Sequence, residues 1–231
     1  MMKKIVIFTF LVVLVIAFTG CTETTTKPKA KDSGNGETPS EETIQQILAK
    51  AKEPKNMECE LVMTRNGTPI ESNMKVYLKG EKYVSEIKTG DVLVKQIYDG
   101  KKVYTYSPVY SEFYCESDFP SYASPSDSMG FEYMAEKALE DPNLKEFGKE
   151  TIDGIKTRVI EFSYEDFAKH QVKAWISEEH GIVIKSEDKK ELLSGQGSYT
   201  EVQELKNIKF NSVQDSMFEV PADKIKPLEE C

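Results

Sequence analysis

Arginine is almost missing from this chain: Arg65 and Arg158 are the only two among 30 basic residues. Bidentate clamps for phosphate or carboxylate, which a guanidinium fork supplies best, are therefore scarce. Histidine is equally rare, at His170 and His180, and neither H-E-x-x-H nor C-x-x-C occurs. Zinc-hydrolase and thioredoxin-like chemistry thus lack their usual ligands. His180 falls in a turn signal and is expected to be solvated, and His170 is expected at a strand edge. Glu178-Glu179 and Asp215 read as solvated faces rather than paired catalytic acids. No catalytic residue, metal ligand or cofactor site is assigned, and the chain is not expected to be an enzyme. Positive charge is in deficit as well, with 39 acids giving a formal net charge of -9. Without residues 1–20, which hold Lys3 and Lys4 and no acid, the balance is 28 basic against 39 acidic residues, or -11. A surface so acidic repels phosphate backbones and excludes nucleic acid as a partner.

What is present begins at the N-terminus. Met1-Met2-Lys3-Lys4 precedes a 14-residue run, Ile5 to Phe18, that is apolar except for Thr9. The run suits a secretion signal and falls short of the ~20 apolar residues a bilayer span needs. Phe18-Thr19-Gly20-Cys21 resembles the lipobox of secreted lipoproteins, with Phe18 in place of the commoner Leu. Residues 1–20 are accordingly a signal peptide and Cys21 the lipid-attachment residue; an uncleaved anchor is the alternative. Either puts the body of the chain outside the cytoplasm, tethered to a cell membrane. Residues 22–37 contain one Ala and no larger apolar side chain. Such a segment cannot bury enough surface to order itself and reads as a tether with a mean reach of about 20–25 Å. With Cys21 acylated, Cys59, Cys115 and Cys231 remain, an odd number for an oxidising compartment, and spacing does not choose among their three pairings.

The domain is expected over residues 38–222, with 223–231 as a C-terminal tail. Thr38-Pro39-Ser40-Glu41 reads as a helix start, and Ile44, Ile47, Leu48 and Ala51 form an apolar stripe that Pro54 ends. From Met57 the texture becomes strands and tight turns. Asn66-Gly67, Lys79-Gly80, Thr89-Gly90-Asp91, Asp99-Gly100 and, later, Asp153-Gly154 and Glu179-His180-Gly181 separate runs rich in Val, Ile and Tyr. Turn signals at this spacing predict an antiparallel meander. Residues 117–128, with Pro120, Pro125 and five serines, read as a loop. Phe131, Met134, Ala135, Ala138 and Leu139 then restore helical spacing until Pro142. The last long strand is expected over about 199–210.

Fold class is therefore α+β: a strongly curved antiparallel half-barrel of about 10–11 strands, with an N-terminal helix and a second helix as a lid over its concave face. Two short helices are little cover for so much sheet, so an apolar cavity is expected beneath them. Its candidate lining is Leu61 and Met63; Met74, Val76 and Leu78; Phe131, Met134 and Leu139 on the lid; Ile160 and Phe162; Val172 and Ile176; and Ile182 and Ile184. Lys75, Lys79, Glu161, Lys173 and Lys185 fall on the other face. Trp175 shares that outer face, as a packed residue under some covering element or as an exposed contact. Asn66-Gly67-Thr68 matches a glycosylation sequon, but the same Asn-Gly is a strong type I′ turn signal, and the turn reading is preferred.

Three stretches carry a resemblance to the LolA-like superfamily of lipoprotein-sorting carriers and their membrane-anchored relatives. They are Tyr98-Asp99-Gly100-Lys101-Lys102-Val103-Tyr104-Thr105-Tyr106, the Trp-bearing hairpin from Val172 to Ser186, and Lys206 to Asn211 with Phe218-Glu219-Val220-Pro221. The resemblance implies a half-barrel that holds acyl chains. The soluble carrier of that family has no lipid, so a lipidated chain is more similar to the anchored members; the two arginines do not fall at the family's lid position. The expected function is a membrane-anchored lipoprotein that binds a lipid, an acyl chain or an acylated protein, in sorting or transport at the cell envelope. The alternative is an envelope sensory or structural domain with a filled core that binds a protein partner. A monomer is favoured.

Overall fold

A computed structural model describes residues 41–53, 55–70, 73–108, 113–118, 130–193, 197–227 and 230. The signal, Cys21, the tether, Thr38-Pro39, Pro54 and most of the serine-rich loop lie outside the described residues. The helix start falls later than the Thr38 reading. Helix α1 spans Ile44–Ala49 and continues as a 3-10 turn over Lys50–Lys52. Its N-cap is Thr43, whose hydroxyl accepts from the Gln46 N–H while the Gln46 side chain takes the Thr43 N–H, a complete capping box. The stripe is as expected, with Ile44, Ile47, Leu48 and Ala51 all buried.

Strands follow as β1 (Asn56–Arg65), β2 (Thr68–Pro69), β3 (Asn73–Lys79), β4 (Lys82–Thr89), β5 (Val92–Tyr98), β6 (Lys102–Tyr106) and β7 (Tyr114–Asp118). Helix α2 spans Phe131–Glu140, and then come β8 (Lys145–Ile152), β9 (Ile155–Glu165), β10 (Ala168–Ser177), β11 (Val183–Leu192), β12 (Ser198–Phe210) and β13 (Ile225–Pro227). All pair into one curved, unclosed sheet in the order β13-β7-β6-β5-β4-β3-β1-β12-β11-β10-β9-β8, with β2 folded back on β1. Every pairing is antiparallel except β13 on β7. The sheet thus has 13 strands among the described residues, more than the 10–11 expected, because the two-residue β2 and the three-residue β13 are too short to leave a pattern. Residues 225–227, within the expected tail, supply β13.

The turn dipeptides do what their chemistry allows. Asn66 and Gly67, and Asp153 and Gly154, all have positive φ, as a type I′ hairpin needs. Asn66 also ties its turn to β12, its Oδ1 accepting from the Thr200 N–H at 2.9 Å. Gly181 has a second duty. At φ +67° it lies directly under α1, where an added Cβ would meet Ile47 O and sit 2.8 Å from both Ala51 N and Lys50 Cβ. Only a residue without a Cβ lets the helix come so close.

Both helices lie on one face of the sheet. Ile47, Leu48 and Ala51 of the α1 segment and Ala135 and Ala138 of α2 pack with Ile160, Phe162, Val172, Ala174 and Ile176. A second cluster continues along the same face through Met57, Cys59, Val76, Leu78, Phe131, Ile182, Ile184 and Leu205. On the opposite face Val84, Ile97 and Tyr104 are covered by Val213 and Phe218 of the C-terminal segment. Each cluster draws on residues between 44 and 225. Trp175 also points to the opposite face. It is buried, its indole N–H donates to Glu150 Oε2 at 2.8 Å, and the Lys185 and Lys173 ammonium groups lie 4.5 and 4.8 Å from its ring centroid. Packing, not exposure, is its role.

Candidate functional site

A cavity of about 190 Å³ lies between α2 and strands β11, β12 and β1. One wall is apolar: Leu61, Phe131, Met134, Val183, Ile184 and Leu205. The other is polar, with Tyr164, Ser186, Asp188, Lys190, Glu201 and Gln203. An enclosed cavity of 150 Å³ holds benzene, and pockets for drug-sized ligands run to about 300–1,000 Å³. This groove therefore admits the end of a chain or a small amphiphile rather than a whole lipid. Clefts of about 510 and 530 Å³ elsewhere are open surface hollows, the first lined mainly by Lys169, Gln171, Lys189 and Glu191.

Of the expected lining residues, Leu61, Phe131, Met134 and Ile184 meet at this groove. Val76, Leu78, Ile160, Phe162, Val172, Ile176 and Ile182 lie on the same face but are packed into its core, and Met74 packs against them half-buried. Met63 is half-buried on β1, outside the groove. Leu139 departs most, at 45% exposed. The buried face of α2 is set by Phe131, Ala135 and Ala138, and the next position turns about 100° away, into an open cleft with Ile44 and Leu144.

The polar wall was not foreseen. Ser186, Asp188 and Lys190 continue the inward parity of Ile184 along β11, and Glu201 and Gln203 do the same toward Leu205 on β12. That parity was the available signal, hidden because charged residues read as outward. The wall is an ionic ladder. Glu201 is buried and saturated: Arg65 Nη2 donates to its Oε2 at 3.2 Å, and Lys190 Nζ and Gln203 Nε2 donate to its Oε1, each at 3.1 Å. Burial pushes its carboxyl up, but these donors outweigh burial and leave it below the ordinary range.

His170 corrects the strand-edge expectation. It is 3% exposed on β10, an interior strand, with its ring stacked on Tyr164 at a centroid separation of 4.1 Å. Its Nδ1 lies 2.8 Å from Asp188 Oδ2 and its Nε2 3.1 Å from Asp166 Oδ1. Carboxylates only accept, so both contacts are hydrogen bonds together when both nitrogens carry protons. Neither nitrogen is left to serve a nucleophile. Tyr133 of α2 donates to the other Asp166 oxygen at 3.2 Å, which links helix and ladder. His180 is not the solvated turn residue expected: its ring stacks on Phe210 at 3.6 Å, and burial lowers its pKa.

At the α1 end the ion pairs are structural. The buried Arg158 guanidinium donates to Glu178 Oε1 at 2.7 Å, Glu41 Oε1 at 2.6 Å, the Glu42 carbonyl at 3.1 Å, and Glu146. Glu178 is therefore a clamp residue rather than part of a solvated acid run, and the Arg158 bond holds its carboxyl below the usual range. Cys59 is free and buried, its thiol pushed up to about 12 chiefly by burial, whereas Cys115 is disulfide-bonded. The two pairings that use Cys59 are thereby excluded. No group of metal-ligating side chains occurs among the described residues.

No family model matches the chain, and neither does any curated protein. Solved structures do match. One is MucB in complex with MucA from Pseudomonas aeruginosa, at 13% identity and a TM-score of 0.43, covering 78% of this chain and 60% of that one. The chain thus spans about 60% of the length of the MucB structures it matches. Another is LprF from Mycobacterium bovis, at 15% identity and a TM-score of 0.47, covering 78% and 97%. A third is the lipoprotein LppX from Mycobacterium tuberculosis, at 16% identity and a TM-score of 0.37, covering 74% and 94%. The chain is similar to these in structure alone, at low sequence identity.

Proposed function

We propose that this chain is an exported lipoprotein, anchored through Cys21 to a cell-envelope membrane. We further propose that its domain holds the apolar part of a lipid, acyl chain or acylated protein under α2, in sorting or transport at that surface. The export reading is supported by the apolar run over 5–18, the Phe-Thr-Gly-Cys end and the polar composition of 22–37. The ligand reading rests on one observation, the apolar wall of Leu61, Phe131, Met134, Val183, Ile184 and Leu205 facing an unfilled groove. A full acyl chain needs more room than this, so α2 moves outward as the lid when one enters. No catalytic role is proposed.

Native mass spectrometry and organic extraction of the purified, unlipidated chain test this. A bound apolar molecule is expected in the native chain and not in Met134→Trp, which fills the groove. A native chain that carries no apolar molecule and takes none up contradicts the reading. For the anchor, Cys21→Ala is expected to leave the membrane fraction; retention of residues 1–20 in the mass of the mature chain shows an uncleaved signal instead.

A second reading has an observation in its favour. Away from the groove the same face is filled by the chain itself, with Ile47, Leu48, Ile160, Ile176 and Ile182 no more than 1% exposed. An envelope interaction domain with a protein partner has no use for a cavity. Cross-linking that returns one partner, together with a groove that takes up nothing, favours this alternative.

A further inference from the structure

The two inward-facing carboxylates of the polar wall are not equivalent. Glu201 has donors on both oxygens, from Arg65, Lys190 and Gln203. Asp188 is 8% exposed and has donors on one side only: its Oδ2 faces His170 Nδ1 at 2.8 Å and Lys190 Nζ at 3.6 Å. Its Oδ1 is buried and has no hydrogen-bond partner among the described residues. A buried carboxylate oxygen is costly to leave unmet, and such groups in native proteins nearly always find a donor. Asp188 lines the groove four residues along β11 from Ile184 of its apolar wall. The hydrogen bond to His170 on β10, itself held from the other side by Asp166, fixes the carboxylate beside the groove with Oδ1 still unmet.

We propose that the groove selects amphiphiles whose head donates a hydrogen bond, a primary ammonium or a hydroxyl, with Asp188 Oδ1 accepting from the head and the chain lying against Leu61, Phe131 and Leu205. This rests on the groove being the ligand site. Heads that only accept, carboxylate above all, leave Oδ1 unmet and find the Lys190 ammonium that lines the groove already engaged by Glu201 Oε1. A bare acyl chain gains the apolar wall and leaves the carboxylate unmet. The specificity is then for the head, and the apolar wall alone carries none.

The test is isothermal titration calorimetry on the processed chain (residues 21–231) carrying Cys21→Ser, with octylamine, octanol and octanoate below their aggregation limits. A hydrogen bond to a charged group sets the scale, so octylamine and octanol are expected to bind at least about tenfold more tightly than octanoate. The amine and alcohol arms separate a need for charge from a need for a donor. In Asp188→Asn the gap is expected to close or invert. Should that variant not fold, the carboxyl-carbon NMR resonance of Asp188 in the otherwise native chain gives the same readout: it moves on addition of octylamine or octanol and stays put with octanoate. Equal affinity for the three heads, or an Asp188 resonance unmoved by both donors, overturns the proposal and leaves the groove as a ligand site. Binding of none of the three overturns the groove reading itself, and this one with it.

Discussion

Two short helices lie on one face of one sheet, and they are seated in opposite ways. The α1 segment is dry and locked. Its start is capped by its own Thr43 and Gln46, Arg158 holds the Glu42 carbonyl just ahead of it, its Lys50 ammonium donates to the Glu178 carbonyl at 2.8 Å, and its end rests on a glycine. Helix α2 begins at Gly130, which is left-handed and offers no side-chain cap. One edge of α2 overhangs the groove, and Tyr133, 38% exposed, ties it to Asp166. The same sheet thus holds one helix by cap, clamp and close backbone approach, and the other by its packed face and a single half-exposed tyrosine bond. An element that moves to admit a ligand is drawn from the weakly held end of a structure.

The contrast is broken most directly at the two glycines. Gly181→Ala adds a methyl against backbone that cannot give, at a left-handed φ, and is expected to cost about 3 kcal/mol or more. Gly130→Ala, at φ +66° with open space around it, is expected to cost only about 1–2 kcal/mol. Urea midpoints for the pair check this; equal losses at both positions mean that α1 is not interlocked.

Next in size is the clamp on α1. Arg158 is buried but its partners are 21% to 61% exposed at the side chain, so water recovers part of the loss, and Arg158→Gln is expected to cost about 2 kcal/mol. The clamp also titrates. Glu178 is held below its ordinary value of 4.5 first by the Arg158 hydrogen bond. The folded chain therefore stays deprotonated where the unfolded chain takes up a proton. That stabilisation is complete above the unfolded value and is lost as pH falls through the lower folded one, so stability declines below about pH 5. Arg158→Gln is expected to flatten this acid limb; a limb of unchanged slope assigns it to Glu201 and Asp166, at the α2 end, instead.

The smallest effect is expected at α2. Tyr133→Phe removes a half-exposed bond to Asp166 and is expected to lower stability by about 0.5–1 kcal/mol, read as a small shift in urea midpoint. A loss as large as that of Arg158→Gln means that α2 is as firmly held as α1.

Much of the frame was legible in the sequence because it is written locally. Asn66-Gly67 and Asp153-Gly154 place hairpins by their own φ preferences, and the stripe from Ile44 to Ala51 faces the core by helical period alone. The start of α1 was misplaced because Thr38-Pro39 and Thr43-Ile44-Gln45-Gln46 both carry start signals, and only the second adjoins the stripe. His170 was misread although Ala168, Val172 and Ala174 share its parity; a lone histidine between Lys169 and Gln171 carries no sign of its ring stack. The groove was half legible. Its apolar wall follows from alternation, whereas Asp188 and Glu201 face inward beside donors that periodicity does not pair with them, Arg65 and Lys190 on Glu201 and His170 on Asp188. The cysteines were not legible at all, since pairing depends on which thiol the sheet buries.

The central claim is that the groove under α2 is a binding site, and calorimetric titration of the processed chain with octanol, alongside Met134→Trp, tests it most directly. Saturable one-to-one binding by the native chain, abolished in Met134→Trp while its urea midpoint stays near the native value, is the expected result. No saturable binding, or binding that Met134→Trp leaves unchanged, contradicts it.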